Sequence, residues 1–234
     1  MNTERAVLPK KSGIVQSVES SERKISKKGR RVRAGILDTA LRLFGKFGYD
    51  AVSTRDLAAQ SGVTLPALQY YFGGKQHLYL ACASEVVARF AAITGRASEN
   101  AQAALAGARD ELQLRSALSE LLIAVGKAMI SQGQSASGGS FGIRELLDPG
   151  PGFDLLYAQL WEPGIELVAD LIASIRKTPS NSPADRVEAM MLISSLSVFQ
   201  NGQLVARQAL EWDTIDADQF ATIEAALRRR IAQL

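Results

Sequence analysis

The chain is poor in the side chains on which most enzymes and metal sites depend. Its 234 residues include one histidine, His77, and one cysteine, Cys82. A single thiol cannot form an internal disulfide, and so few reactive groups leave little scope for a nucleophile–base pair. The Gly74-Lys75-Gln76 stretch lacks the Ser or Thr and the upstream Gly of a phosphate-binding loop. We therefore expect no catalytic residue, cofactor or metal; a helical enzyme is the remote alternative.

The chain also lacks the long apolar runs of a membrane protein. It has no run of about 18 uncharged apolar residues, and its amino terminus has no apolar secretion-signal region. A chain of this length with 47% apolar residues can bury a sizeable core in one domain or two. Because a lone cysteine also fits a reducing compartment, we expect a cytoplasmic protein.

Positive charge is concentrated at the amino terminus. Residues 1–33 contain ten Lys and Arg against three Glu, a net charge of +7, whereas the remainder carries −4. The composition of residues 1–29 predicts a disordered basic tail. A flexible arm next to the first helix would lie on phosphates or in a minor groove of DNA, and a tail that only aids solubility is equally plausible. The basic residues of this arm are Lys27, Lys28, Arg30, Arg31 and Arg33.

Apolar residues recur at helical spacing along most of the remaining chain, without the alternation typical of strands. We predict an all-α protein of about nine helices, with a small domain at residues 30–76 and a larger one at 77–234. Residues 131–140 have the composition of a flexible loop. The predicted helices are 31–47, two short helices within 53–75, then 76–94, 112–130, 141–147, 153–177 with a kink at Pro163-Gly164, 184–210 and 216–231.

The stretch from Ser53 to Lys75, STRDLAAQSGVTLPALQYYFGGK, predicts two short helices joined by a tight turn. Ser53 and Asp56 have the spacing of a capping box, and Gly62 can end the first helix in a left-handed conformation. Thr64 and Pro66 are typical of a helix start. Such a pair is the helix-turn-helix unit, whose second helix enters the major groove of DNA. An ordinary helical hairpin with core tyrosines is the alternative interpretation.

A longer segment, ILDTALRLFGKFGYDAVSTRDLAAQSGVTLPALQYYFGGKQHLYLA, resembles the DNA-binding domain of TetR-family transcriptional regulators. The pattern of that family is an apolar helix ending in Phe-x-x-x-Gly-Tyr, a Thr-Arg-x-Leu-Ala helix, Gly-Val, and a Tyr-Tyr-Phe-x-x-Lys recognition helix. The matching residues are Phe44, Gly48, Tyr49, Thr54, Leu57, Ala58, Gly62, Val63, Leu68, Tyr70, Tyr71, Phe72 and Lys75.

The resemblance implies DNA contacts for particular residues of the motif. By this resemblance Thr54, Tyr71 and Lys75 would contact phosphates. The residues facing bases would be Arg55, Thr64, Leu65, Ala67 and Gln69, with the small Pro66 beside them and Tyr70 bordering either class. Leu65 and Ala67 are apolar where many relatives carry polar residues, so they can contact only a thymine methyl and the operator sequence stays open.

The larger domain is similar to the CecR-like carboxy-terminal domain of one TetR subgroup, through FGIRELLDPGPGFDLLYAQLWEP and GQLVARQALEW. In the family the last two long helices pair across a two-fold axis, which here implies a homodimer through 184–210 and 216–231. A dimer doubles the contacts on a near-palindromic DNA operator. The apolar residues that would serve core and seam are Met190, Met191, Ile193, Leu196, Val198 and Phe199.

The resemblance also implies a ligand-responsive repressor. In TetR-type regulators a small-molecule effector shifts the connecting helix, so that the two recognition helices no longer fit successive grooves. Such a ligand must favour the non-binding conformation, typically by about 1–3 kcal/mol. A DNA-binding activator or architectural protein without a ligand is the alternative. Polar or aromatic candidates for ligand contacts are Arg144, Tyr157, Trp161, Gln200, Asn201 and Gln203.

Overall fold

The computed structural model describes residues 26–107, 110–134, 139–180 and 182–234. The all-α class is confirmed, since no strand occurs in these ranges. Most of the expected basic tail and the middle of the expected loop at 131–140 lie outside the described residues. In chain order the helices are α1 Lys27–Ala51, α2 Thr54–Gln60, α3 Leu65–Phe72, α4 Lys75–Ala106, α5 Glu111–Gln134, α6 Gly139–Leu147, α7 Phe153–Leu156, α8 Glu162–Arg176, α9 Pro183–Ser195, α10 Gln203–Leu210 and α11 Ala217–Ile231.

Helix α1 begins four residues earlier than expected. The Ser26 hydroxyl accepts the Gly29 N–H at 3.2 Å, which caps the first turn and allows the helix to start at Lys27. The expectation of a flexible arm is therefore wrong for Lys27, Lys28, Arg30, Arg31 and Arg33, which all lie on the helix.

An amino-terminal core joins α1 to α4. It consists of the buried side chains of these helices, with Phe44, Leu57, Leu68 and Tyr79 among them, together with Phe141 of α6 and Leu156 of α7. The predicted stripe of α1, which includes Ile36, Leu41 and Phe44, faces this core. Side chains from both sides of the predicted domain boundary at residues 76 and 77 therefore pack in one core. The division of the chain into two domains at this boundary stays a prediction.

Helix α4 connects the two halves of the chain. It has 32 residues because the predicted helix 76–94 continues through Gly95 into the Ala-rich segment that follows. Its length and hydropathy would also suit a membrane span, yet it packs along α1, α5 and α8, as core helices do. Cys82 is fully buried on α4, and burial raises the pKa of its thiol, in keeping with the expected core role.

A carboxy-terminal core surrounds α5. Leu114, Leu118, Leu121 and Leu122 of this helix are almost fully buried and pack with apolar side chains of α8, α9 and α11. Ala101, near the end of α4, also belongs to this core. The same connecting helix therefore takes part in both cores.

Two long predicted helices are interrupted. The expected helix 153–177 contains a π-helical turn, Tyr157–Trp161, in which the Glu162 N–H donates to the Tyr157 carbonyl. Pro163 follows directly and has no N–H to continue the regular pattern, so the irregularity lies just before the expected kink.

The expected helix 184–210 ends at Ser195, passes through a 3-10 turn at Leu196–Phe199 and restarts at Gln203. Its continuity was predicted wrongly. The hydroxyls of Ser195 and Ser197 donate to the carbonyls of Leu192 and Ser194, both at 2.7 Å, and such local bonds compete with regular helix geometry.

An ion cluster around one buried carboxylate, that of Asp185, ties α8, α9 and α11 together. Asp185 is 2% exposed, and its carboxylate accepts from Arg176 Nη1 at 3.2 Å and from the Thr178 hydroxyl at 2.6 Å. Glu188 pairs with Arg176 at 3.1 Å and with Arg230 at 3.0 Å. The cluster fixes the relative positions of three helices around the carboxy-terminal core.

Replacing Asp185→Ala should lower the free energy of unfolding by about 1–3 kcal/mol, because it removes a buried acceptor and its hydrogen bonds to the Arg176 guanidinium and the Thr178 hydroxyl. Urea unfolding followed by circular dichroism measures the change. The control Glu166→Ala breaks the pair with Arg186, in which both side chains are about half exposed, and should cost less than about 0.5 kcal/mol. Equal losses in the two variants would contradict this account of the cluster.

Candidate nucleic-acid interface

Helix α2 starts with the capping box that its sequence predicts. The Ser53 hydroxyl accepts the Asp56 N–H at 3.1 Å, and the Asp56 carboxylate accepts the Ser53 N–H at 3.2 Å. The Ser53 hydroxyl also donates to this carboxylate at 2.5 Å, and these hydrogen bonds lower the pKa of Asp56. Leu57 and Ala58 are buried, whereas Arg55 is exposed at the start of the helix.

A tight turn places α3 directly after α2. Gly62 has a φ of 66°, which a residue without a side chain adopts at little cost, and the Val63 N–H donates to the Ala58 carbonyl at 3.0 Å. The Thr64 hydroxyl then accepts the Ala67 N–H at 3.3 Å to cap α3. Leu68 and Phe72, four residues apart, are the buried side chains of α3. The remaining face of α3 is therefore free to meet a partner.

The residues predicted to contact DNA lie together around this face. Tyr70 is 75% exposed and Leu65 40% exposed, which excludes the core-tyrosine interpretation for Tyr70. The Tyr71 ring lies edge-on to that of Tyr70, with centroids 5.2 Å apart. The other predicted contacts are all exposed or partly exposed: Thr54, Arg55, Thr64, Pro66, Ala67, Gln69 and Lys75. We name these ten residues the reading surface.

Gln69 already has a hydrogen bond within its own helix. Its Nε2 donates to the Gly73 carbonyl at 3.2 Å on the exposed side of α3. Gly73 itself has a φ of 73° and ends the helix. Contact between Gln69 and a base therefore requires this bond to be exchanged for one to the DNA.

Lys75 is held at one end of the reading surface. Its ammonium lies 4.3 Å from the centre of the Tyr49 ring and 3.5 Å from the Asp50 carbonyl. A cation above an aromatic face is attracted by the ring quadrupole. The end of α1 thereby sets the direction of the Lys75 side chain. These contacts join residues about 25 positions apart, so sequence periodicity does not predict them.

The basic start of α1 lies next to the end of α3. The Arg33 guanidinium is 5.0 Å from the centre of the Phe72 ring. Lys27, Lys28, Arg30 and Arg31 precede it on the same helix. The charge of Arg33, expected on a flexible arm, therefore lies on helix α1 beside the end of α3, and the other four basic residues lie on the preceding turns of the same helix.

The six predicted ligand contacts fall into three groups by their neighbours, and their role in binding stays a prediction. Arg144 lies against the bend of α1, where a Cβ on Gly48 would be 2.7 Å from its guanidinium. Phe153 brings Tyr157 and Trp161 together, with ring centroids 6.2 and 5.5 Å from its own. Gln200, Asn201 and Gln203 lie around the restart of the chain at α10, where the Gln203 Nε2 is buried with no hydrogen-bond partner among the described residues.

A cavity of about 260 Å³ lies elsewhere, between α1 and α4. Its lining includes Asp38, Glu85 and Arg89, with Arg89 bonded to the two carboxylates at 2.6 and 2.7 Å, and none of the six predicted ligand residues. In the part of the chain that is described, no group of three or more His, Cys, Asp or Glu residues is arranged to hold a metal ion.

One pentapeptide, residues 138–142 (GGSFG), has the GxSxG spacing of a hydrolase nucleophile. That motif acts at the sharp turn between a strand and a helix. Here the preceding element is helix α5, and Phe141 of the motif is buried in the amino-terminal core. Residues 139–142 of the motif begin helix α6, and no strand occurs among the described residues that precede them.

Two family models match the chain. The first, described as bacterial regulatory proteins of the tetR family, matches residues 36–82, which include α2 and α3. The second, described as the C-terminal domain of the HTH-type transcriptional dual regulator CecR, matches residues 113–234, more than half of the chain. Together the two models cover the reading surface and the whole chain from residue 113 onward.

Two relatives are regulators of transcription. The HTH-type transcriptional dual regulator CecR of Shigella flexneri is 28% identical over 199 residues, which are 84% of this chain and 87% of that protein. The HTH-type transcriptional repressor AcnR of Corynebacterium glutamicum is 38% identical over 68 residues, 29% of this chain and 35% of that protein.

Solved structures share the fold. A TetR-like transcriptional regulator from Rhodococcus sp. RHA1 has a TM-score of 0.55 and 21% identity, over 88% of this chain and 97% of that one. The TetR-family regulator PfmR from Thermus thermophilus has a TM-score of 0.53 and 18% identity, over 75% and 86%. With the two family matches, these findings lead to one assignment: the chain belongs to the TetR family of DNA-binding transcriptional regulators and carries a CecR-type carboxy-terminal domain.

Proposed function

We propose that the chain is a ligand-responsive repressor that binds a near-palindromic operator as a homodimer. The observation that carries the proposal is the exposed face of α3 between a capped start at Thr64 and the ammonium of Lys75. A helix of eight residues fits the major groove when two side chains are buried and Leu65, Pro66, Gln69 and Tyr70 are exposed on the other side.

Each part of the reading surface has a chemistry suited to its proposed role. Lys75 and the hydroxyls of Thr54 and Tyr71 suit phosphate oxygens, which fix the position of the protein on DNA. Arg55, Thr64 and Gln69 have polar groups for base edges, and Leu65 and Ala67 offer methyl groups to thymine. The basic start of α1 adds sequence-independent attraction.

A homodimer is supported by apolar surface on α9, the following 3-10 turn and α10. Met191 is 61%, Leu204 80% and Val205 69% exposed. Single exposed apolar residues are common on protein surfaces, but several on neighbouring elements favour an interaction site. Of the residues expected to serve core and seam, Ile193 and Phe199 pack against the carboxy-terminal core and Leu196 is buried in it. The exposed apolar residues that we assign to the contact between copies are Val187, Met190, Met191, Val198, Leu204, Val205 and Leu210.

Response to a small molecule is proposed from the family and from one neighbour. The solved structure of a SmeT–triclosan complex has a TM-score of 0.55 and 15% identity to this chain, over 85% of this chain and 90% of that one. Of the six predicted ligand contacts, we retain Tyr157 and Trp161 as a pair and Gln203 for its unpaired amide. Release of operator DNA on adding an effector separates this function from that of a DNA-binding protein without a ligand.

The sign of regulation has two candidates. The relative that covers most of the chain is named a dual regulator, whereas the shorter match is named a repressor. We favour repression, because a dimer on an operator obstructs a promoter without any further contact. Dual control is the second candidate, and transcription assays with the operator on either side of a promoter distinguish them. Either role places the protein in the cytoplasm, with the DNA.

Selection of bound DNA from a random pool tests the proposal as a whole. We expect enrichment of one near-palindromic site, with half-sites related by the two-fold axis of the dimer. Sedimentation of the protein with and without this DNA measures the stoichiometry. Enrichment of an asymmetric site bound by one copy would contradict the proposed dimer. No enrichment above background would contradict operator binding itself.

The variant Lys75→Ala should weaken binding to all DNA sequences by a similar factor and reduce the slope of log affinity against log salt by about one, because it removes one phosphate contact. Fluorescence anisotropy over a range of salt concentrations measures both. The matched control is Lys127→Ala, since Lys127 also lies over a ring, Phe220, but on α5 in the other half of the chain. An unchanged slope in Lys75→Ala would contradict the phosphate role.

The variant Arg55→Ala should relax the preference at one base pair of each half-site, costing about 1–3 kcal/mol on the selected operator and much less on altered sites. Competition with operators changed one base pair at a time gives this profile. Arg96→Ala removes an arginine from α4 away from α3 and should leave the profile unchanged. A uniform loss across all operators would instead assign Arg55 to a phosphate.

A further inference from the structure

A buried carboxylate links the second half of the chain to the helix-turn-helix unit. Glu145 of α6 is fully buried, as a Glu rarely is unless paired. One of its oxygens accepts the hydroxyl proton of Tyr79 on α4, and the other accepts the Gly150 N–H at 3.2 Å. Both oxygens are therefore hydrogen-bonded to groups on two different segments.

Tyr79 is suited to be the donor in this pair. Burial first, and then the Glu145 carboxylate, raise the pKa of Tyr79 well above its ordinary value, so the phenol keeps its proton. Its ring is 1% exposed and lies 4.7 Å from Phe44 and 4.7 Å from Phe141, measured between centroids. The hydroxyl is thus the polar end of an otherwise apolar cluster.

The same ring supports Tyr49. Their centroids are 5.0 Å apart at an angle of 83°, the edge-to-face arrangement that aromatic pairs prefer. The Tyr49 ring in turn lies under the Lys75 ammonium at 4.3 Å. Four side chains therefore form a continuous series from α6 to the reading surface: Glu145, Tyr79, Tyr49 and Lys75.

The loop after α6 is packed closely against this series. A Cβ on Gly150 would lie 2.7 Å from Glu145 Oε1 and 3.1 Å from the Tyr79 hydroxyl. A Cβ on Gly152 would lie 3.3 Å from Glu145 Oε2 and 3.3 Å from the Tyr79 ring. The backbone of residues 150–152 thus confines the carboxylate, so a change in the loop is passed directly to Glu145.

We propose that Glu145 and Tyr79 are positioning residues for DNA binding: their hydrogen bond holds the Tyr49 ring in place, and that ring holds the Lys75 ammonium at the DNA phosphate. Movement of α6 or of the loop at residues 148–152 would then withdraw a DNA contact without any change in α3. The inference rests on the proposed phosphate contact of Lys75, and it adds the path by which the second half controls that contact.

The positioning can be observed without DNA by nuclear magnetic resonance. Protons held above an aromatic ring are shifted upfield, so the ε-methylene protons of Lys75 should resonate upfield of those of the other lysines, with Lys75→Ala supplying the assignment. Tyr79→Phe retains the packed ring and removes only the hydroxyl. We expect this variant to return the Lys75 signal most of the way to the ordinary lysine position.

Three further variants separate positioning from general damage. Gly150→Ala pushes a methyl group against the carboxylate and should reproduce the effect of Tyr79→Phe. Gly95→Ala, the matched control, adds the same methyl group on α4 in open space and should leave the signal unchanged. Glu145→Gln retains two hydrogen bonds, because its oxygen can accept from Gly150 and its nitrogen can donate to the Tyr79 hydroxyl, so it should preserve the wild-type signal.

Operator binding supplies the second measurement, as a double-mutant cycle. Tyr79→Phe alone should weaken operator binding by about three- to tenfold and reduce the salt slope, whereas in a Lys75→Ala background it should have no further effect. Additive losses would mean that Tyr79 acts on DNA binding by some other route, and would overturn the proposal.

The outcomes of the two measurements are distinguishable. An unchanged Lys75 signal in both Tyr79→Phe and Gly150→Ala overturns the positioning, whatever the DNA result. Loss of the upfield Lys75 shift in these two variants, with the shift retained in Gly95→Ala, supports the positioning of Lys75, even if the wild-type protein binds no DNA. In that last case the proposed function fails while the link from Glu145 to Lys75 stands.

Discussion

The packing of α2 and α3 onto α1 and α4 is the constraint on which the DNA-binding half depends. Each of the two short helices buries two side chains, and helices of seven and eight residues are not stable alone in water. Leu57 and Leu68 are fully buried in the amino-terminal core, which anchors both helices. The orientation of the reading surface is therefore set by α1 and α4, and through Phe141 and Leu156 by the second half of the chain.

Local sequence patterns were enough to predict the helix-turn-helix unit. Its caps join residues three apart, as in Ser53 with Asp56 and Thr64 with Ala67, and its buried pair Leu68 and Phe72 is four apart. Such short-range rules need no knowledge of the tertiary fold. The start of α1 was predicted four residues too late because the basic composition indicated disorder, although the cap from Ser26 to Gly29 is equally local.

Contacts between residues distant in the sequence could not be predicted from local sequence patterns. Tyr79 and Glu145 are 66 residues apart, and nothing in periodicity pairs them. A partial signal existed, because Glu145 is four residues after Phe141 and so lies on the buried face of α6. The two long helices are interrupted by serine hydroxyl bonds in one case and by a π-helical turn in the other. The irregular and the regular helix geometries differ little in free energy, so composition does not predict which one forms. The ligand residues were predicted from their chemistry alone, and the position of Arg144 against the bend at Gly48 depends on the tertiary fold.

The length of α4 gives the coupling a mechanical basis. A helix of 32 residues is about 48 Å long, so a rotation of about 5° around its far end moves the near end by about 4 Å. Its far end is embedded in the carboxy-terminal core at Ala101, and its near end begins at Lys75, beside the reading surface. A displacement of that size exceeds the length of a hydrogen bond, which is enough to separate a lysine from a phosphate. In the proposed dimer the two near ends would move together, so that a small change in the carboxy-terminal core would alter the spacing between two reading surfaces that must fit successive grooves.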